Sequence, residues 1–196
     1  MKDYEVIAQQ NQKRAFEILK ELQIVELWER HGCKVNLVGS LAMKLLVKHL
    51  DIDLHVYSSG ITEESSFQIA SQIAKDKRVK ELKCINGLYT DEHCIAWHIK
   101  YEDFDGRIWQ LDIIHIESGT QYDGFFEQMA ERINQKLNDF QRDTILRLKY
   151  ETPDNEIIHG VEYYQAVMEN KIETLAELRE WVIKNRKEGG SYWMPD

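Results

Sequence analysis

Asp51 and Asp53 stand in the stretch "DIDLHVY", where Ile52, Leu54 and Val56 alternate with Asp51, Asp53, His55 and Tyr57. A period of two describes a strand with one buried face, so both carboxylates point the same way. At a rise of about 3.3 Å per residue their Cα atoms lie roughly 6.5 to 7 Å apart, close enough for the side chains to converge on one cation. A solvent-facing edge strand gives the same D-x-D pattern, so the pair needs corroboration. Asp112 offers it, in "WQLDIIHIE", set among Leu111, Ile113, Ile114 and Ile116. A carboxylate in so apolar a run costs several kcal/mol unless it is paired, protonated or bound to a cation. An ion pair with Arg107 or Lys100 would meet that need. A place beside "DIDLHVY" would instead bring three carboxylates together.

Three clustered carboxylates suit Mg²⁺ or Mn²⁺, hard cations that keep some waters and complete their shell with substrate phosphates. Two such ions can clamp an in-line phosphoryl or nucleotidyl displacement. Gly39 and Ser40 precede Asp51 by ten intervening residues. Gly39 lets backbone approach a phosphate, Ser40 offers a hydroxyl, and N–H groups at a following helix start favour negative charge. Lys44 and Lys48 share one face of that helix and are candidates for phosphate contact, against a reading as a solvated face.

The elements that must position these residues are legible from periodicity. Residues 3 to 31 read as one helix or two, followed by the strand "KVNLVG". Ser40 is placed to cap a helix over "LAMKLLVKH", and "DIDLHVY" comes next. A helix over "TEESSFQIASQIAKD" precedes three strands, "RVKELKCI", "HCIAWHIKYED" and "RIWQLDIIHIE", separated by turn-forming segments. From Tyr122 the periodic segments near 123–150, 154–170 and 174–187 are helical, with Thr152-Pro153 marking one helix start and a capping box at Thr174 another. The tail is read as loose or docked by Tyr192 and Trp193. The chain therefore divides into an α/β half, 1–121, and a helical half, 122–196, giving an α+β fold with a mixed sheet.

A 196-residue chain with 43% hydrophobic content can bury one good core, or one core and a small lobe. No signal-like apolar segment and no run long enough to span a bilayer stands in it, which places the protein in the cytoplasm and off the membrane. Cys33, Cys84 and Cys94 form no C-x-x-C pair, so free thiols are expected. Cys84 and Cys94 are expected to face each other across a hairpin. A formal net charge of -9 opposes nonspecific binding to a nucleic-acid backbone and points to a small acceptor. Seven histidines show no metal-ligand spacing; His93 and His98 read as ordinary strand residues, and His55 draws notice only beside the Asp pair. Tyr163 and Tyr164 could stack on a base, or fill an interhelical groove.

Gly39-Ser40, ten intervening residues, Asp51-Ile52-Asp53-Leu54 and a later Asp112 on a strand together resemble the nucleotidyltransferase superfamily with the DNA polymerase β-type core, over residues 36 to 116. The resemblance implies a mixed sheet flanked by helices, followed by a helical lobe that helps bind nucleotide and acceptor. It implies that Gly39 and Ser40 hold the triphosphate, that Asp51 and Asp53 bind divalent ions, and that Asp112 completes the metal site or helps activate the acceptor hydroxyl. Its common second glycine after the G–S pair is absent here. The function it implies is Mg²⁺-dependent transfer of a nucleoside monophosphate from ATP or another NTP to a small-molecule hydroxyl, releasing pyrophosphate. The alternative is a noncatalytic protein of the same fold, such as the nucleotidyltransferase-like half of a toxin–antitoxin pair.

Overall fold

The structure is a computed structural model that describes residues 2–186 and 193–195. Helix α1 (Asp3–Glu21) and helix α2 (Ile24–Arg30) are separated by Gln23, whose left-handed backbone (φ 50°) ends the first helix. Strand β1 (Lys34–Val38) leads into a single helical turn, α3 (Gly39–Ala42), and then strand β2 (Asp51–Ser58). Helix α4 (Glu63–Ile73) starts at a Thr62–Ser65 capping box. Strands β3 (Val79–Asn86), β4 (Cys94–Glu102) and β5 (Ile108–Glu117) follow. Helices α5 (Phe125–Lys136), α6 (Asp139–Glu151), α7 (Gly160–Asn170) and α8 (Leu175–Asn185) complete the described chain.

The five strands form one mixed sheet in the order β1-β2-β5-β4-β3. β2 and β5 are parallel, and every other pairing is antiparallel. One face is apolar: Ile52, Leu54, Trp97, Ile99, Leu111 and Ile113 are buried against Ala15, Ile18, Trp28 and Ile69 of α1, α2 and α4. The alternation of each strand puts its polar residues on the other face. A second core joins α5 to α8, and it also takes in Tyr4 and Ala8 of α1 and Met43, Leu45 and Val47 from the segment after α3. α1 thus spans both cores.

The predicted helix over "LAMKLLVKH" does not form. After Ala42 the chain turns at Lys44, whose backbone is left-handed (φ 58°). The side chains Leu41, Met43, Leu45, Leu46 and Val47 are all buried, pulled into two different cores. Leu45, Leu46 and Val47 alternate between the two cores residue by residue, which the single apolar stripe of a short helix does not provide. Its carbonyls are taken instead by side chains: Gln12 donates to Leu41 (2.9 Å), Asn134 to Ala42 (3.1 Å), Arg142 to Met43 (2.6 Å), Lys149 to Leu45 (2.9 Å) and Asn11 to Val47 (2.6 Å). Ser40 caps nothing; Val38 occupies the N-cap position.

Three smaller expectations are also corrected. The segment 123–150 is two helices, broken at Leu137 with Asn138 capping the second. Thr152 closes α6 rather than opening α7: its hydroxyl donates to the Leu148 carbonyl (2.7 Å) and accepts from Tyr163 (2.8 Å), and α7 begins after His159. Cys84 stands opposite Trp97, and Cys94 opposite Ile116 on the other sheet face, so the two thiols do not meet. All three cysteines are free. Trp193 is buried, with its indole N–H donating to Glu169 (2.6 Å), whereas Tyr192 lies outside the described residues. Among the described residues no helix is long and apolar enough to cross a membrane.

A lysine in the left-handed region carries a steric cost of roughly 1 to 2 kcal/mol, part of which glycine returns as unfolded-state entropy. Lys44→Gly is therefore expected to stabilise the protein by about 0.5 to 1 kcal/mol in urea denaturation, and Lys44→Ala is not. Equal stability of the two variants would show that the turn carries no such strain.

Candidate active site

The register of the sheet assembles the site. Asp53 stands opposite Asp112 on the adjacent parallel strand, and Asp51 opposite Gln110. Asp112 in turn faces His98 on β4, while Val38, the residue before Gly39, lies beside Asp53 on β1. Adjacent strands lie about 4.8 Å apart, so the three carboxylates share one patch of one face. The competing ion pairs for Asp112 do not form: Arg107 binds Asp105 (2.6 Å) and Asn11 (2.8 Å), and Lys100 binds Glu81 (2.6 Å). Asp112 Oδ1 instead meets His98 Nδ1 at 2.6 Å and accepts from Gln110 Nε2 at 2.8 Å. The second oxygen is left uncommitted.

Neither Asp51 nor Asp53 accepts a hydrogen bond from any described side chain, and each feels the charge of Asp112. Burial, with repulsion from Asp51 and Asp112, pushes the Asp53 carboxyl up to about 7 from its ordinary 3.8. Asp51 is raised for the same two reasons, burial and Asp112, while His49 and Lys149 pull it down. Gly39 adopts φ +65°, and a Cβ there would collide with the Asp53 carboxylate. Only glycine lets the turn close over that aspartate.

Ser40 projects to the other wall. Its hydroxyl lies 3.0 Å from the Tyr164 hydroxyl on α7 and accepts from Lys149 Nζ on α6 at 2.8 Å. Lys149 is buried, with its ammonium 5.6 Å from the Tyr164 ring centroid, and it is the cation felt by both Asp51 and Asp53. Lys44 is elsewhere: it lines a groove with Glu5, Gln9 and Arg142 that none of the three aspartates lines. Lys48 donates to the Thr152 carbonyl and pairs with Asp154 (2.9 Å). The site thus has a sheet floor, a glycine turn and a helical wall bearing Lys149 and Tyr164.

Sequence reasoning missed Lys149 and His98 and left Tyr164 open. Lys149 carried one signal, a lysine four residues after Ile145 and next to Leu148 on the buried stripe of α6. His98 carried none until the β4–β5 register was known.

The donor set is all-carboxylate oxygen, and its mutual repulsion is relieved by a divalent cation, so the chemistry of the residues fits Mg²⁺ or Mn²⁺. Among the described residues no group of three or more acidic, histidine or cysteine side chains stands close enough together to hold a metal ion as it is.

No family model matches the sequence, and no curated protein matches it. Solved structures do. Cid1 poly(U) polymerase bound to MgATP aligns at 16% identity over 81% of this chain and 49% of its own, with a TM-score of 0.57. A cytoplasmic RNA terminal U-transferase aligns at 16% identity over 85% and 51%, TM-score 0.53. The GLD-2/RNP-8 complex supplies a chain at 12% identity, 84% and 57% coverage, TM-score 0.58. These proteins have the polymerase β-type nucleotidyltransferase fold, and this chain shares it. The chain spans about half the length of the neighbours it matches.

A carboxyl whose folded pKa lies above its unfolded value stabilises the fold at low pH and loses that contribution as pH rises through the folded value. Asp53 should therefore make the metal-free protein less stable as pH climbs from about 4 to about 7. Asp53→Asn is expected to flatten that decline and raise the melting temperature at pH 8 in EDTA. The same variant should lose the stabilisation that Mg²⁺ gives the wild type. Parallel pH–melting curves for the two proteins would contradict the assignment.

Proposed function

We propose that the protein is a metal-dependent nucleotidyltransferase that moves a nucleoside monophosphate from an NTP to the hydroxyl of a small molecule and releases pyrophosphate. The observation that carries this reading is one arrangement: a glycine closed over Asp53, with Ser40 and buried Lys149 beside three same-face carboxylates. Residues 1–121 supply the carboxylates and the turn, and residues 122–196 supply the wall against which nucleotide binds. In this role Lys149, rather than Lys44, is the lysine that meets the phosphates.

Bound at Asp51, Asp53 and Asp112, Mg²⁺ would supply charge stabilisation and alignment for the displacement. The chain does the rest. Ser40 and Lys149 hold the β- and γ-phosphates, where developing negative charge on the leaving pyrophosphate meets a desolvated ammonium. Tyr164 orients Ser40 through the hydroxyl contact. His98 and Gln110 fix one oxygen of Asp112, leaving the other either to complete the metal site or to draw the acceptor proton. The acceptor oxygen forms a bond to the α-phosphorus as the bond to pyrophosphate breaks.

A second reading is an RNA acceptor, favoured because two neighbours are named a poly(U) polymerase and an RNA terminal U-transferase. The charge of -9 weighs against it. The noncatalytic reading stays distinct because it requires nucleotide binding without turnover.

Pyrophosphate release is measured with Mg²⁺ and each NTP, against a panel of small alcohols and an RNA oligonucleotide with a free 3′ hydroxyl. Release with a small alcohol supports the proposal, and release with RNA alone selects the second reading. Mg-NTP binding with no release in any pairing selects the noncatalytic one. Asp53→Asn is expected to cost at least about 100-fold in turnover, and Lys149→Met to raise KM for the NTP about tenfold, the scale of one lost charge-assisted contact. His98→Ala should lower kcat more than Mg-NTP affinity.

A further inference from the structure

The polar face of the sheet does not end at the carboxylates. One step along the strands, His55, Ile114 and Ala96 form the next row across β2, β5 and β4, beside the row of Asp53, Asp112 and His98. That step is about 6.5 Å. Over the row lies a pocket of about 220 Å³ with Ile116 extending its floor and Tyr122 and Phe126 as walls. Phe126 packs edge-on against His55, with ring centroids 5.1 Å apart. Exposed Glu92 stands at the rim.

Building on the nucleotidyltransferase reading, we propose that this pocket is the acceptor subsite and that it takes a neutral or cationic ring-bearing alcohol rather than a nucleic-acid end. The direction follows from the reaction. In an in-line displacement the attacking and leaving oxygens lie on opposite sides of the phosphorus. Ser40 and Lys149 place the leaving pyrophosphate toward α6 and α7, so the attacking hydroxyl must enter from the side of β5 and β4. Asp112 stands on that side, and the pocket opens one side-chain row beyond it.

The lining sets the chemistry. Ala96, Ile114 and Ile116 give its floor an alkyl surface, joined by the His55 ring and the Cys94 thiol, and its walls are aromatic, a surface that a flat ring satisfies by stacking and apolar contact. Drug-sized sites span roughly 300 to 1,000 Å³, so this smaller pocket admits about one ring system. Glu92 at the rim repels a phosphate or carboxylate and favours a neutral or positively charged substituent. A hydroxyl one or two bonds from such a ring reaches back to Asp112.

The test uses two ligands of nearly equal shape, phenyl β-D-glucoside and its anionic counterpart phenyl β-D-glucuronide, with binding read by saturation-transfer NMR on the full chain. The glucoside is expected to bind in the millimolar range through its phenyl protons, and the glucuronide about tenfold more weakly. Ala96→Phe should fill the pocket and weaken the glucoside at least about tenfold, with Ala96→Leu intermediate and Mg-NTP affinity within about twofold of wild type in both. Glu92→Gln should bring the glucuronide up toward the glucoside, a change that general loss of structure would not produce. Unchanged glucoside binding in a folded Ala96→Phe or Ala96→Leu protein overturns the proposal, as does equal binding of the two ligands by the wild type. Failure of Mg-NTP to bind, with ring binding intact, would instead remove the nucleotidyltransferase reading.

Discussion

The segment between β1 and β2 is the constraint on which the rest of the site depends. It carries Gly39 and Ser40, and from Leu41 to Val47 the chain leaves the short turn α3 without continuing as helix or strand, so its carbonyls need other donors. A buried carbonyl left without a donor costs free energy comparable to a lost hydrogen bond. Five of them here are met by side chains drawn from α1, α5 and α6: Gln12, Asn11, Asn134, Arg142 and Lys149. One of those donors, Lys149, also donates to Ser40. The group that satisfies the loop is therefore also a group that shapes its chemistry.

The carboxylates impose the opposite demand. Three acidic side chains on one sheet patch repel, and the surrounding structure must hold them in place. Apolar residues on the reverse face of the same strands supply that hold: Ile52 and Leu54 flank Asp53, and Leu111 and Ile113 flank Asp112, all buried in the first core. Strand alternation makes these inseparable, since a shift of one residue would turn the aspartates into the apolar core and its side chains out of it. Local instability at the site is thus carried by the packing that also fixes its geometry.

How much of this was legible in the sequence depended on the range of the interaction. The D-x-D face, the apolar setting of Asp112 and the strands around them follow from period-two patterns, and the mixed sheet bears them out. The helix predicted over "LAMKLLVKH" failed because its residues serve two cores, a fact that no local periodicity records. Thr152-Pro153 carried a helix-start signal but closes α6, because the threonine hydroxyl is engaged on both sides, donating to the Leu148 carbonyl and accepting from Tyr163. Lys149 lies 109 positions from Ser40, and His98 reaches Asp112 only through a hairpin register. Such pairs are set by tertiary packing, and a sequence shows at most that a lysine sits on an apolar stripe.

The two cores meet through this loop, and that has a consequence for how the site can move. Its ends are fixed to the sheet at Val38 and Asp51, whereas Met43, Leu45 and Val47 belong to the helical core. α1 is buried in both, through Ala15 and Ile18 on one side and Tyr4 and Ala8 on the other. A rigid-body opening of the helices from the sheet would have to break the α1 contacts and strip the loop carbonyls of their donors together. In the nucleotide complex proposed for this site, rearrangement would therefore be confined to the side chains that bridge the walls, Tyr164 and Lys149 on one and the uncommitted oxygens of the aspartates on the other. Interactions of that size exchange for phosphate contacts at little net cost, since each bond given up is replaced by one to a charged oxygen.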